Sequence, residues 1–127
     1  MAPIRITTGI DVIEIERIEA ALGRWGDRFL HRIYTDAEVV HCRGRAESLA
    51  GRFAAKEAVS KALGVDIRRL RWRDIEILPD RRGKPTVQLH GRAAEVAIHQ
   101  HVTGFDISIT HSRSDAIVVV VAWGEEG

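Results

Sequence analysis

Cysteine is nearly absent from this sequence, whose single residue of that type is Cys42. One cysteine excludes an internal disulfide and a zinc cluster built from several cysteines. Long apolar runs are also absent: the longest, AIVVVVAW at 116–123, is far shorter than the roughly 20 residues that span a bilayer. The N-terminal MAPIRITTG lacks a basic segment followed by a long apolar stretch, so no secretory signal is expected. We therefore expect a cytoplasmic protein without a membrane segment.

An excess of charge of either sign is missing as well. The formal net charge of the 127 residues is only +1, which gives no global indication of nucleic-acid binding. A chain of this length can bury a core without disulfides, and it contains no internal repeat or low-complexity linker. The sequence thus predicts one domain over residues 1–127.

Helical patterns fill most of the first half of the chain. The β-branched segment 4–15 predicts a strand, after which apolar spacing predicts a helix interrupted at Gly23 and Gly26. The TDAE box at 35–38 predicts a helix with Thr35 as its N-cap. The strongest helical pattern spans 46–64 and ends at Gly64.

The second half consists mainly of predicted strands. Alternating or continuous apolar segments predict strands at 74–78, 86–90, 105–110 and 116–122, with a short helix at 92–101. The continuously apolar last strand is typical of a central strand covered on both faces. The whole pattern predicts an α+β fold with helices packed on a largely antiparallel sheet.

Asp11 is an unusual residue because it stands inside an apolar run, GIDVIEI, whose neighbours favour burial. A buried, unpaired carboxylate is costly, so Asp11 needs a cation, a hydrogen-bond network or an exposed strand end. Glu57 and Lys61 lie one turn apart on the predicted helix 46–64. They can form an ordinary surface ion pair, or they can join Asp11 in a site for magnesium and phosphate.

Three further groups of residues have both an ordinary and a functional interpretation. His111 and Ser112 end a predicted strand, where they are either exposed or part of a phosphate site. Gly83 lies in a turn where a ligand can approach the backbone closely. The recurring arginines of the first helical region are either a solvated face or a basic ridge that docks an acidic partner; they include Arg17, Arg24 and Arg28.

The motifs GIDVIEIERIEAAL, GRFAAKEAVSKALG, GKP and DISITHS, in this order, resemble the bacterial holo-acyl-carrier-protein synthases. These are members of the 4′-phosphopantetheinyl transferase superfamily, and the resemblance covers nearly the whole chain. It implies that superfamily's fold, a cyclic homotrimer with a site at each subunit boundary, and support of fatty acid biosynthesis.

The resemblance also implies roles for individual residues. Asp11 and Glu57 would bind magnesium, and Lys61 would contact the transferred phosphate. Carrier-protein contacts would come from Arg17, Arg24 and Arg28. Coenzyme A would be held by Arg52, Lys61, Gly83, Lys84, Pro85, His111 and Ser112.

The implied reaction moves phosphopantetheine from coenzyme A to a serine of apo acyl carrier protein and releases adenosine 3′,5′-bisphosphate. Either Glu57 or a metal-bound water would accept the serine proton. Two alternatives remain open from the residues. A magnesium-dependent phosphate-ester hydrolase would need no protein acceptor, and a non-catalytic binding module would show no turnover.

Overall fold

The computed structural model describes residues 3–126 as an α+β fold, which confirms the predicted fold class. The strands are β1 (Ile4–Glu14), β2 (Ile75–Pro79), β3 (Pro85–Leu89), β4 (Val102–His111) and β5 (Asp115–Glu125). The helices are α1 (Ile15–Trp25), α2 (Asp27–Ile33), α3 (Asp36–Cys42), α4 (Ala46–Leu63) and α5 (Gly91–His99).

The strands form two antiparallel sheets, although the sequence predicted one. The larger sheet has the order β1-β5-β4, so the apolar final strand is central, as predicted. Strands β2 and β3 form a separate hairpin. Two 3₁₀ turns that the sequence did not predict, Ile67–Arg69 and Trp72–Asp74, connect α4 to β2.

Helix α4 packs directly on β1, and Gly9 permits this close approach. A Cβ atom at Gly9 would lie 1.8 Å from the carbonyl oxygen of Ala58. One turn further along, the Thr7 hydroxyl donates to the carbonyl oxygen of Ala62 at 2.8 Å. Gly9 of the GID motif therefore allows β1, which carries Asp11, to lie against the C-terminal half of α4.

Local capping signals define the ends of α3 and α4. The Thr35 hydroxyl accepts from the backbone N–H of Glu38, and the Thr35 N–H donates to the Glu38 carboxylate at 2.8 Å. This confirms the predicted capping box. Helix α4 ends at Gly64, which has φ 70° and the left-handed conformation that glycine favours.

One face of the β1-β5-β4 sheet is covered by α4, but the opposite face is open. The prediction that β5 is covered on both faces is therefore wrong for the single chain. The open face carries large exposed apolar side chains: Ile4, Ile6, Ile10, Val12, Val119 and Trp123. Within residues 3–126, no helix combines the length and apolarity needed to cross a membrane.

Candidate active site

Asp11 finds its partner in Lys61, on the adjacent helix. The Lys61 ammonium donates to Asp11 Oδ1 at 3.1 Å and to the carbonyl oxygen of Ile10 at 2.8 Å. The Asp11 side chain is only 14% exposed, whereas that of Lys61 is 52% exposed. Lys61 thus pairs across the chain with Asp11, rather than along the helix with Glu57, and this pairing explains how the apolar run accommodates a carboxylate.

Glu57 belongs electrostatically to the same cluster. Burial raises its pKa, and repulsion from the Asp11 carboxylate raises it further, while Lys61 and Arg17 oppose the shift. A cation bound near both carboxylates would relieve this repulsion. The two oxygen-bearing side chains therefore fit magnesium, which takes one or two protein carboxylates and fills its remaining positions with water and phosphate oxygens. Residues 3–126 contain no group of three or more potential metal-ligating His, Cys, Asp or Glu side chains.

A second group of predicted ligands lies near the start of α4. Arg52 is only 8% exposed, and its Nη1 donates to the Ser48 hydroxyl at 3.3 Å. Its buried Nε has no hydrogen-bond partner among the described residues. His111 Nε2 lies 3.0 Å from the carbonyl oxygen of Glu47. Arg52 therefore has unused hydrogen-bonding capacity; it and His111, which both contact residues in the first half of α4, are called the Arg52–His111 group.

His111 and Lys61 lie at opposite ends of α4 within one chain. Glu47 and Lys61 are 14 residues apart on α4, which corresponds to roughly 21 Å along the helix. Asp11 and Ile109 both pair with Val118, so β1 and β4 flank β5 at a separation of about 10 Å. His111 hence lies apart from the carboxylate cluster, whereas Arg52 is only five residues from Glu57 on α4, roughly 7.5 Å along the helix.

Two other predicted ligands make local contacts. The Ser112 hydroxyl accepts from the backbone N–H of Asp115 at 3.0 Å and thereby stabilises the β4–β5 turn. The Lys84 ammonium lies 3.0 Å from Asp106 Oδ1 and 2.9 Å from the carbonyl oxygen of Ile107, which ties the β2–β3 turn to β4. Lys84 therefore positions the turn that contains Gly83 and Pro85, whose contact with a nucleotide stays a prediction.

The predicted arginine ridge has two parts. The guanidinium groups of Arg24 and Arg28 lie over the Trp25 ring, at 4.9 and 5.9 Å from its centroid. Arg17 instead acts on the carboxylate cluster, because its charge lowers the pKa of Glu57. The ridge therefore runs from the carboxylate cluster to an arginine-flanked tryptophan.

Comparison with known proteins identifies the family of this chain. A sequence model described as the 4′-phosphopantetheinyl transferase superfamily matches residues 7–120. The chain belongs to this superfamily. The matched region of this superfamily member includes the Asp11 cluster, the Arg52–His111 group and the arginine ridge.

The similarity to individual relatives extends over almost the entire chain. The chain is 44% identical over 126 residues to a holo-acyl-carrier-protein synthase of Herpetosiphon aurantiacus, covering 94% of this chain and 99% of the relative. It is 49% identical over 115 residues to that of Dehalococcoides mccartyi, covering 91% and 96%. The crystal structure of the Helicobacter pylori synthase in complex with coenzyme A is similar, with a TM-score of 0.83, 37% identity and coverage of 91% and 98%.

The sequence did not predict the buried ion pair between Glu38 and Lys56, the residue that precedes Glu57. The Lys56 ammonium, which is fully buried, donates to Glu38 Oε1 at 2.8 Å and to the carbonyl oxygens of Trp72 and Ile75. Glu38 Oε2 also accepts the backbone N–H of Ile77. The capping box placed Glu38 locally, but no spacing signal linked it to Lys56, 18 residues away.

Glu57→Gln is expected to stabilise the metal-free protein at pH 8 by less than about 1 kcal/mol. Because the pKa of Glu57 is raised in the fold, the favourable protonated form is present below the ordinary glutamate pKa of about 4.3 and is lost as pH rises through the folded value. Glutamine cannot ionise, so the advantage of the variant should disappear near pH 4. Thermal unfolding at pH 4 and pH 8 checks this, and a variant less stable than wild type at pH 8 would contradict it.

Proposed function

We propose that this chain transfers the 4′-phosphopantetheine group from coenzyme A to a serine hydroxyl of an apo acyl carrier protein. The convergence of Asp11 from β1 with Glu57 and Lys61 from α4 carries this proposal. The named relatives are holo-acyl-carrier-protein synthases, and one similar structure contains coenzyme A. A diphosphate substrate requires the combination that this cluster offers, which is two metal-binding carboxylates beside a cation.

Asp11 and Glu57 would hold magnesium, which when bound supplies positive charge at the diphosphate. Lys61 would contribute a further positive charge. Its ammonium has three N–H groups, and Ile10 and Asp11 accept two of them. The remaining N–H is available for an oxygen of the transferred phosphate.

The chemical step replaces the phosphoanhydride bond of coenzyme A by a phosphoester bond to the carrier. The serine oxygen of the carrier attacks the β-phosphorus of coenzyme A, and the bond from that phosphorus to the departing adenosine 3′,5′-bisphosphate breaks. Glu57 is our candidate acceptor for the serine proton. Its place in the cluster with Asp11 and Lys61, where the diphosphate would bind, supports this role.

We propose that Arg52 and His111 of one subunit complete the site of its neighbour in a cyclic homotrimer. Two observations support this arrangement. His111 lies apart from the carboxylate cluster within one chain, and the open face of the β1-β5-β4 sheet carries Ile6, Ile10, Val12, Val119 and Trp123. An exposed apolar patch of this kind marks an interaction site in soluble proteins.

We further propose that the arginine ridge docks the carrier protein. Beside it lies a groove of about 480 Å³ with an aromatic lining that includes Trp25, Phe29, Phe53 and Trp72. The Phe53 and Trp72 rings stack with centroids 4.6 Å apart. Arg28 and Arg32 also line the groove, so its charge suits an acidic partner.

Intact-mass analysis of an apo acyl carrier protein, incubated with this protein, coenzyme A and magnesium, tests the proposed function. We expect a mass gain of one phosphopantetheine group, together with release of adenosine 3′,5′-bisphosphate. Cleavage of coenzyme A without modification of the carrier would indicate a hydrolase. Binding of the carrier without any turnover would indicate a non-catalytic module.

A further inference from the structure

A second cavity, of about 380 Å³, lies where the 3₁₀ turns meet the start of α5. Its lining consists of Arg69, Leu70, Arg71, Asp74, Gly91 and Arg92. We refer to it as the basic cavity, because three of these six residues are arginines. None of the residues predicted from the sequence to bind coenzyme A or magnesium lines it.

The arginines of the basic cavity make no ion pair with the part of the chain that the structure describes. Within residues 3–126, Arg69, Arg71 and Arg92 have no carboxylate partner at ion-pair distance, whereas the neighbouring Arg68 and Arg73 pair with Asp66 and Asp36.

The one carboxylate of the cavity, Asp74, already serves the start of α5. Its Oδ2 accepts the backbone N–H of Arg92 at 3.2 Å. Three guanidinium groups and one carboxylate leave a formal charge of +2 in a concave site. Arginine is well suited to such a site because its planar group binds carboxylates in a bidentate manner.

One 3₁₀ turn contributes residues to both the basic cavity and the aromatic groove. The 3₁₀ turn Trp72–Asp74 contacts α2 on one side and α5 on the other. Trp72 lines the groove on the α2 side, and Asp74 and the adjacent Arg71 line the basic cavity on the α5 side. A partner seated on the groove therefore needs to extend across only one short turn to reach the three arginines.

We propose that the basic cavity is the second half of the docking surface for the acidic acyl carrier protein and receives carboxylates from its flank. This inference rests on the proposed function for the identity of the partner. Charge complementarity and closeness to the groove favour a carrier over a nucleotide, because all three arginines are exposed and lie outside the Arg52–His111 group.

Calorimetric titration of apo acyl carrier protein into a triple variant, Arg69→Gln, Arg71→Gln and Arg92→Gln, tests this inference. We expect the Kd for the carrier to rise about tenfold at low salt, because each exposed charge pair contributes modestly. The difference should shrink as ionic strength rises and screens the charges. The affinity for coenzyme A should stay unchanged.

Two matched controls remove one arginine each. Arg68→Gln removes a charge that is already paired with Asp66, and Arg5→Gln removes an exposed charge at the start of β1. Both should leave carrier affinity within about twofold of wild type.

An unchanged carrier Kd in the triple variant would overturn the inference. An equal loss of coenzyme A affinity would also overturn it, because the cavity would then belong to the nucleotide site. Binding is measured without turnover, so this result is distinct from failure of the proposed function, which is absence of holo carrier with the wild-type protein.

Discussion

Asp11→Ala and Glu57→Ala are each expected to lower the rate of phosphopantetheine transfer by roughly 10²- to 10³-fold. Both carboxylates face the same charged cluster and neither belongs to the apolar core. Removing either one takes away a proposed metal ligand and also relieves the repulsion between them. The fold should therefore survive while activity is lost. Any residual activity should require a higher magnesium concentration.

Initial rates, measured by intact mass of the carrier over a magnesium titration, check this expectation. Glu95→Ala is the matched control, because Glu95 is an exposed carboxylate on α5 outside the candidate site. It should keep wild-type activity. Rates near wild type in Asp11→Ala or Glu57→Ala at ordinary magnesium would refute the assignment of these residues as metal ligands.

Lys56→Met should reduce the free energy of unfolding by about 3 to 5 kcal/mol. The substitution leaves the buried Glu38 carboxylate without its cation, and the carbonyl groups of Trp72 and Ile75 lose a donor. Burial lowers the pKa of Lys56, and the interaction with Glu38 opposes that shift. Lys56 therefore needs Glu38 to stay charged while buried, and Glu38 needs Lys56 for the same reason.

Denaturant unfolding followed by tryptophan fluorescence, at a fixed protein concentration, measures this loss. Lys61→Met is the control on the same helix, because the Lys61 ammonium is half exposed and its pair with Asp11 should contribute less than the fully buried pair of Lys56 with Glu38. Adding Glu38→Gln to Lys56→Met should restore part of the stability, since the unpaired buried charge is removed. Equal losses in Lys56→Met and Lys61→Met would contradict the buried-pair account.

Features that depend on neighbouring residues could be predicted from the sequence. The capping box at Thr35 and the helix end at Gly64 follow from local backbone hydrogen bonding, and both are confirmed. The strand preference of β5 was also clear from its composition. Whether both faces of β5 are covered could not be predicted, because an apolar run does not tell whether the second face of the strand packs against the same chain.

Features that depend on tertiary contacts were harder to predict. The resemblance brought Asp11 and Glu57 together, whereas spacing alone favoured an ordinary pair between Glu57 and Lys61. The pair of Lys56 with Glu38 escaped notice because both residues suit an exposed helix face, and only the packing of α3 and β2 on α4 buries them. The basic cavity likewise depends on α5 meeting a 3₁₀ turn.

Subunit mixing tests most directly the central claim that two subunits complete one site. Asp11→Ala and His111→Ala, each inactive alone, are refolded together in equal amounts. In a cyclic trimer every interface has the same polarity, so each mixed trimer contains one interface at which intact Asp11 meets intact His111. Random mixing makes about three quarters of the trimers mixed, with one good site in three. We predict recovery to roughly a quarter of wild-type activity; a mixture as inactive as its two parents would contradict the claim.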